Sequence, residues 1–247
     1  MAQLQVSEPV RMRVTWVFQQ VAWVALGIVF YFGVRGQTAG SPEVARDNAF
    51  EIIRLERRLG IQIEGWLQTP VNASATLEAV ANWIYIWGHW PVIVATMAWL
   101  LWRHRMTFVR LRDAMMISGG VGMLIFAAYP VMSPRLVGLG MVDTVTRTSE
   151  AYRVLQPPLF TNQYAAMPSL HSGWDLLIGM SIVAAATPVW LRAVGFILPM
   201  LMALAVVFTA NHYLLDVVAG VSLVLVAHTG ALALERRRVR PRQATPA

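Results

Sequence analysis

Lysine and cysteine are both absent from this chain of 247 residues, and charged residues are scarce. Without cysteine there can be no disulfide, zinc–thiolate site or cysteine nucleophile. Every basic side chain other than histidine is an arginine, and the formal net charge is +7. Only 13% of the residues are charged, whereas soluble domains contain about 25%. This composition argues against an ordinary soluble domain.

The hydrophobic residues of the chain form long apolar runs. Hydrophobic residues make up 57% of the chain, and the mean hydropathy is +0.53. Each run approaches the ~20 residues needed to cross a membrane. The pattern predicts an all-α polytopic membrane protein in which residues 1–247 form a single membrane domain, a six-transmembrane helix bundle. The predicted spans are about 14–34, 78–102, 114–131, 170–187, 190–210 and 213–234. Residues 235–247 are predicted to be a basic, disordered cytoplasmic tail.

The arginines predict the orientation of the bundle. A basic chain can indicate a nucleic-acid partner, but these arginines flank the apolar runs, so topology explains them and no nucleic acid is expected. With six crossings, four arginine groups fall on one side: Arg11 and Arg13; Arg103, Arg105, Arg110 and Arg112; Arg192; and Arg236, Arg237, Arg238, Arg240 and Arg242. Positive charge is retained in the cytoplasm. Both termini are therefore expected in the cytoplasm, with the protein in the plasma membrane and residues 35–77 and 132–169 facing the extracytoplasmic side.

The loop after the first span carries apolar residues at helical spacing. These residues are Phe50, Ile53, Leu59, Ile63 and Trp66, and charged residues stand between them. The spacing predicts an amphipathic interfacial helix region, one or two helices on the outer membrane surface. A helix packed over the mouth of the bundle fits the same pattern, and both interpretations stay open.

Two histidines are predicted to lie at the same level of the membrane. His171 occurs in AAMPSLHSGWD, and His212 occurs in TANHYLLDVVAG, two crossings later. Ionisable groups at membrane spans are usually functional. Asp216 follows His212 by one helical turn and can accept a hydrogen bond from one ring nitrogen, which leaves the other nitrogen as a nucleophile or base.

An anion site is predicted beside these histidines. Arg135, in AAYPVMSPRLVG, stands just outside the third span, and a guanidinium suits phosphate oxygens. Pro168 suits a first helical turn, whose N–H groups, with the Ser169 hydroxyl, can receive phosphate oxygens. His171 would then act as acid and base one turn into the helix. Two simpler roles stay open: Arg135 as a topological charge and Ser169 as a helix cap.

These motifs carry a resemblance to a known family. P-S-x-H followed by H-x-x-x-D resembles the type-2 phosphatidic acid phosphatase superfamily of membrane lipid phosphatases and phosphotransferases. Y-P-V-M-S-P-R, N-Q-Y-A-A-M-P-S-L-H and N-H-Y-L-L-D-V-V-A-G are more similar to its branch related to inositol phosphorylceramide synthase and sphingomyelin synthase. The likeness covers about residues 40–230.

The resemblance implies a two-step phosphotransfer. His212 would attack phosphorus and form a phosphohistidine, with Asp216 orienting it. His171 would protonate the leaving lipid oxygen and then deprotonate water or an acceptor hydroxyl. Arg135 and Ser169 would hold the phosphate oxygens. No metal and no cofactor is implied.

Further polar residues are candidates for contact with the cavity or the acceptor, with a structural role as the alternative in each case. The branch resemblance suggests Tyr85 and His89 for the cavity, and the outer loop and turn add Asn211, Asp143 and Asn162. A metal site built from His89, His171, His212 and Asp216 is disfavoured, because a mid-span position would put His89 at another depth.

The chain departs from the superfamily pattern at two cationic positions. The usual lysine of the first motif is missing, and Val206 stands where the third motif usually has an arginine. Fewer cations suit a phosphodiester, which carries one charge, better than a monoester. Arg147 or Arg153 in the outer loop could restore a cation.

The favoured function is transfer of a phosphorylated headgroup. The expected partners are a membrane lipid phosphate or phosphodiester donor and a small alcohol, a lipid or water as acceptor. A lipid phosphate phosphatase is the main alternative. A proton-coupled transporter is a remote one, because the ionisable residues are concentrated at the outer level rather than along a path across the membrane. The sequence is compatible with a homo-oligomer.

Overall fold

The computed structural model describes residues 10–35, 41–148 and 162–239, which are predominantly helical. The helices in these ranges are α1 Val10–Arg35, α2 Pro42–Leu59, α3 Glu64–Asn72, α4 Ala75–Trp87, α5 Trp90–Arg103, α6 Arg105–Ala128, α7 Pro134–Val137, α8 Thr144–Thr148, α9 Leu170–Ala185, α10 Val189–Phe208 and α11 Leu214–Val239. These ranges contain no strand, and one parallel β-bridge joins Val131 to Ala165. The prediction of an all-α protein is confirmed for the described residues.

Three of the described helices are long and apolar enough to cross a membrane: α6, α10 and α11. The pair α4 and α5, bent by 40° at a short break, would add a fourth crossing. Two shorter apolar helical stretches, Val14–Val29 within α1 and the whole of α9, accompany them. The protein is therefore an integral membrane protein by these criteria, and the count of six crossings stays a prediction.

The core of the bundle is formed by α9, packed against α6, α10 and α11. α9 and α10 approach so closely that a Cβ atom on Gly179 would lie 2.2 Å from the carbonyl oxygen of Gly195. Pro188 caps α10 and turns the chain between these two helices. Consequently the start of α9, the end of α10 and the start of α11 meet at one end of the bundle, called here the site end.

The second predicted span is broken in the middle. α4 ends at Trp87, and α5 begins at Trp90 after Gly88 and His89. Pro91 occupies the first turn of α5, where its missing N–H costs no helical hydrogen bond. α4 packs against α3, α8 and α10 rather than continuing the axis of α5. The break places His89 beside the site end, so the expectation that His89 lies at another depth is wrong.

Helix α2 covers the site end. Its N-cap Ser41 accepts a hydrogen bond from the Val44 N–H, and Gly60 ends it with a φ of 71°. The buried face of α2 consists of Ala45, Ala49, Ile52, Ile53 and Glu56. The four apolar residues of this face pack on the motif segments around Val131, Ala166 and Tyr213. This packing fits a helix over the bundle mouth, and a position at the membrane surface stays a prediction.

Part of the predicted apolar stripe is exposed. Ile53 is buried, but Leu59, Ile63 and Trp66 are 57%, 41% and 74% exposed. Gly60 ends α2 in the left-handed conformation, so Ile63 and Trp66 do not continue the face of that helix. A single helical periodicity therefore does not continue from α2 into α3.

The other end of the bundle is held by ion pairs. Arg110 of α6 donates two hydrogen bonds to Glu235 of α11, at 2.6 and 2.9 Å. Arg238 of α11 pairs with Asp113 of α6. α6 begins at Arg105, well before the predicted start at 114, and α11 continues to Val239. The prediction of a disordered tail is wrong for residues 235–239, which these contacts keep helical, and residues 240–247 lie outside the described residues.

Candidate active site

Three motif segments that are distant in sequence meet at the site end. The Val131 N–H donates to the Tyr164 carbonyl at 2.7 Å, and the Ala166 N–H donates to the Val131 carbonyl at 3.1 Å. The Arg135 N–H donates to the Ala210 carbonyl at 3.0 Å. The backbone around Arg135 is thus joined both to the segment before His171 and to the segment before His212.

The two histidine rings lie together, as their spacing predicts. Their centroids are 5.8 Å apart, with an interplanar angle of 55°. His171 is in the first turn of α9, and His212 lies in the turn between α10 and α11. Two details differ from the sequence interpretation: Pro168 precedes the Ser169 cap instead of entering the helix, and His212 precedes α11. The catalytic roles of both rings stay predictions.

His212 has a defined tautomer because of its neighbours. Its Nδ1 atom lies 2.7 Å from the Ala166 carbonyl oxygen and 3.5 Å from Oδ2 of Asp216. A carbonyl oxygen can only accept, so Nδ1 carries the proton and donates it. The Nε2 atom of the neutral ring therefore keeps its lone pair, as a nucleophile requires. Asp216 was expected to be the orienting acceptor, and in the structure Ala166 holds the shorter contact.

Asp216 links the starts of two helices. Its Oδ2 atom accepts a hydrogen bond from the Tyr213 N–H at 2.9 Å, and its carbonyl oxygen accepts one from the Ser169 N–H, also at 2.9 Å. Asp216 is fully buried. The helix that follows His212 is thereby fixed to the helix that carries His171.

Two glutamates complete the cap of α11. Glu64 Oε1 accepts from the Leu214 N–H at 3.1 Å, and Glu56 Oε1 accepts from the Leu215 N–H at 2.8 Å. Both glutamates are buried. Burial, together with a hydrogen bond to the neighbouring Glu64 carboxyl group, raises the pKa of Glu56 to about 9. Glu56 is therefore neutral near pH 7, which limits the charge that this carboxyl cluster buries.

The ring of His171 is surrounded by other rings. Tyr85 stacks on it at 4.9 Å between centroids, with an angle of 28°. His89 lies at 4.4 Å with an angle of 40°. Tyr85 and His89 are both buried beside this ring, and their role as cavity contacts stays a prediction. On its far side His89 bonds a carboxylate, since its Nδ1 atom lies 2.6 Å from Oδ1 of Asp175.

The guanidinium of Arg135 is held by the outer loop. Its Nη1 atom donates to Oδ2 of Asp143 at 2.8 Å and to Oγ1 of Thr146 at 3.0 Å. The side chain of Arg135 is only 8% exposed. Asp143 also accepts from the Thr146 N–H at 3.0 Å, so it orders the loop. The Arg135 charge is thus already matched by one carboxylate.

Three of the proposed contact residues have structural hydrogen bonds. Ser169 caps α9 by accepting from the Ser172 N–H, and it is fully buried. Asn211 donates to the hydroxyl of Thr209 at 2.8 Å within its turn. Asn162 accepts from the N–H of Tyr164 at 2.9 Å. These bonds favour the structural alternative for each residue.

Arg153 lies outside the described residues, and the side chain of Arg147 is likewise not described.

Among the described residues, three buried acids that bond the start of α11 or the rings of the site were missed by the sequence interpretation: Asp175, Glu56 and Glu64. A signal for Asp175 was present, because His171 and Asp175 repeat the His-x-x-x-Asp spacing of His212 and Asp216. The two glutamates gave no such signal, since nothing local distinguishes them from the solvated acids of the same loop.

The metal alternative gains no support from the arrangement of the side chains. Within residues 10–35, 41–148 and 162–239, no group of three or more histidine or acidic residues could hold a metal ion. His89, His171 and His212 are adjacent, but they contact one another through ring faces and edges.

Comparison with known proteins identifies the family. Neither the curated proteins nor the solved structures contain a significant match to this chain. A family model described as the PAP2 superfamily matches residues 50–230. That range contains all the motif segments and both histidine rings. The chain therefore belongs to the PAP2 superfamily and is an enzyme of the phosphatase and phosphotransferase type.

Proposed function

We propose that this enzyme moves a phosphorylated headgroup from a membrane lipid to an acceptor hydroxyl through a phosphohistidine on His212. The observation that carries the proposal is the pairing of the two rings at 5.8 Å, with the Nδ1 proton of His212 bound to the Ala166 carbonyl. That arrangement leaves Nε2 of His212 ready to attack and keeps a second imidazole close enough to transfer the proton.

The reaction has two balanced steps. In the first, Nε2 of His212 forms a bond to phosphorus, the bond from phosphorus to the lipid oxygen breaks, and His171 gives its proton to that oxygen. In the second, His171 takes the proton of the acceptor hydroxyl, the acceptor oxygen attacks phosphorus, and the P–N bond breaks. Arg135 holds phosphate oxygens in both steps, where charge must be stabilised.

The charge balance of the site favours a diester donor. Among the described residues, Arg135 is paired with Asp143 at 2.8 Å, and position 206 is a valine. A phosphodiester carries one negative charge, and a monoester carries close to two at neutral pH. The phosphatase alternative would require a further cation at the site. Headgroup transfer within the branch resembling inositol phosphorylceramide synthase is therefore the favoured activity.

An apolar cleft supports a lipid as the donor. It measures about 480 Å³ and lies between α1, α5, α6 and α9. Trp90 and Trp174 line it, and both of their rings also contact His89 at the site. An acyl chain suits such a lining, because its burial there removes apolar surface from water.

The proposed membrane arrangement has six crossings, with α1 and α9 included as spans. The arginine-rich end, where Arg110 pairs with Glu235, then faces the cytoplasm. The site end opens to the extracytoplasmic side of the plasma membrane. The proposed acceptor is an alcohol or a lipid hydroxyl, with water as the competing acceptor.

The test uses purified protein and two labelled donors, a lipid phosphodiester and a lipid phosphomonoester, each with and without candidate alcohols. A new diester that forms only with an acceptor supports headgroup transfer. Inorganic phosphate released from the monoester alone would establish the phosphatase alternative. No turnover of either donor would overturn both.

Variants of the two histidines test the covalent step. We expect His212→Ala to abolish turnover and to prevent acid-labile labelling of the protein. His171→Ala should lose turnover but should still become labelled from a donor with a good leaving group, because that leaving group needs no proton. His228→Ala, on α11 away from the motif segments, serves as the matched control. Full turnover by the His212 variant would end the covalent proposal.

A further inference from the structure

A second imidazole–carboxylate pair lies next to the proposed acid. Nδ1 of His89 and Oδ1 of Asp175 are 2.6 Å apart, and the two residues are 2% and 1% exposed. Two polar side chains this deeply buried cost free energy unless they satisfy each other. His89 comes from the break between α4 and α5, and Asp175 lies one turn after His171 on α9. Two separate elements are therefore needed to form the pair.

The partner of Asp175 is set by the packing of the helices and not by its spacing from His171. Asp175 follows His171 by four residues on the same helix, as Asp216 follows His212. Asp216 lies 3.5 Å from its own histidine, but Asp175 bonds His89 instead. The ring of His89 in turn lies at 4.4 Å from His171, closer than any other ring described around it. The carboxylate thus reaches His171 through His89.

We propose that Asp175 and His89 are positioning residues that fix the ring of His171 and favour its protonated form. This inference rests on the proposed function, in which His171 protonates the leaving lipid oxygen. In this proposal the Asp175 side chain is ionised, accepts the Nδ1 proton of His89 at 2.6 Å and supplies one negative charge to this layer. That charge lies one ring away from His171, inside a buried layer where screening by water is weak.

Three other rings are adjacent to His171 in the part of the chain that the structure describes. The rings that contact His171 in the described residues are Tyr85, His89 and His212. Behind His212 stands Asp216, already engaged by the Tyr213 N–H. The charge of Asp216 acts first on His212, and the charge of Asp175 acts on His89, whose ring lies beside His171. Two carboxylates therefore support two imidazoles with different tasks.

The first measurement is the pH dependence of kcat for Asp175→Asn. Removal of the negative charge makes protonated His171 less favourable, so the alkaline limb of the profile should move to lower pH by about one unit. The kcat value at the optimum should fall by about 100-fold because the ring is less well placed. KM should change less than kcat in this variant, since Asp175 is not proposed to touch the donor.

Ser118→Ala is the matched control. Its hydroxyl accepts a hydrogen bond from Nε1 of Trp174 at 3.1 Å, and the ring of Trp174 stacks beside His89. This variant disturbs the same packing layer without touching the pair, and it should keep the wild-type pH profile. The proposal would be overturned if Asp175→Asn kept the wild-type pH dependence of kcat and lost activity only in proportion to its loss of folded protein.

A second measurement needs no turnover and so separates this inference from the proposed function. The chain has five histidines, and ¹³C-histidine labelling gives each ring a signal that can be titrated in detergent. The His171 signal is assigned by its loss in His171→Ala. We expect its midpoint to fall in both Asp175→Asn and His89→Gln. Unchanged midpoints in both folded variants would overturn the positioning role, whereas a shift without any phosphotransfer would overturn the proposed function alone.

Discussion

At the scale of single residues, two different groups near His212 orient its ring and supply a negative charge beside it. Ala166 holds the Nδ1 proton at 2.7 Å, and Asp216 stands at 3.5 Å. We expect Asp216→Asn to keep the tautomer but to lose the charge that stabilises a cationic ring. Turnover should therefore fall by about 10- to 100-fold, less than in His212→Ala. Steady-state kinetics of the two variants side by side would check this order.

The role of Arg135 is testable through its loop partner. Arg135→Lys removes the fork that can bind two phosphate oxygens, and we expect kcat/KM to fall at least about 10-fold. Arg58→Lys, on the exposed face of α2, is the control. Asp143→Asn removes the charge of the ion pair at 2.8 Å but keeps the size of the side chain, so it should reduce turnover less than Arg135→Lys does. If Asp143→Asn instead abolishes turnover while Arg135→Lys has none of the expected effect, Arg135 is a structural residue.

Sequence reasoning succeeded where one local pattern sufficed. The His-x-x-x-Asp motif and its distance from His171 placed two rings at one end of the bundle. The same reasoning failed for His89, since the break at Gly88 depends on how α4 packs against α3 and α10. It also missed Asp175, because the partner of a buried carboxylate is chosen by tertiary contacts and not by spacing.

At the scale of the helices, the start of α11 depends on glutamates from α2 and α3. Glu56 has a raised pKa of about 9 because of burial. A group whose pKa is raised on folding contributes stability below its unfolded value, near 4.5, and loses it as pH rises through the folded value. We expect the melting temperature of the wild type to decline between these limits. Glu56→Gln mimics the neutral acid and should reduce the decline.

The control for this prediction is Asp47→Asn, on the exposed face of the same helix. It should leave the pH dependence of the melting temperature as in the wild type. Thermal unfolding in detergent at several pH values measures both variants. Equal slopes for the wild type and Glu56→Gln would contradict a neutral Glu56 in the folded protein.

The contact between α9 and α11 has no room for a methyl group at one position. A Cβ atom on Gly220 would lie 2.1 Å from the carbonyl oxygen of Ser169. We expect Gly220→Ala to destabilise the protein by about 1–3 kcal/mol or more, since backbone cannot yield as a flexible side chain does. It should also reduce turnover by displacing His171 from His212. Gly230→Ala on the same helix meets only a side-chain atom at 3.6 Å and should be tolerated.

At the scale of the whole molecule, the absence of cysteine makes the proposed topology directly measurable. Single cysteines can be introduced at Ala73, beyond α3 on the site end, and at Thr187, in the turn between α9 and α10. With six crossings, a membrane-impermeant maleimide should label Ala73→Cys in intact cells. Thr187→Cys should react only after the membrane is opened. The reverse pattern would invert the proposed orientation.

The overall architecture was predictable as far as composition and hydropathy determine it. Apolar runs predicted a helical membrane protein, and α6, α10 and α11 fit that prediction. The extension of α11 to Val239 was not predictable from hydropathy, because it depends on arginines that find acids on α6. From the sequence alone these charged residues resemble a solvated tail, but in the structure their ion pairs join α11 to α6.

The backbone bonds around residues 166–169 have a consequence for acceptor choice. The Ala166 carbonyl holds one ring, and the Ser169 N–H binds the carbonyl of the residue that follows that ring by one turn. The proposed nucleophile and the proposed proton carrier are thus joined by backbone hydrogen bonds that limit their relative movement. If the proposed mechanism holds, we expect the choice between alcohol and water to depend on how the acceptor fills the space beside the phosphorus rather than on a movement of the two rings.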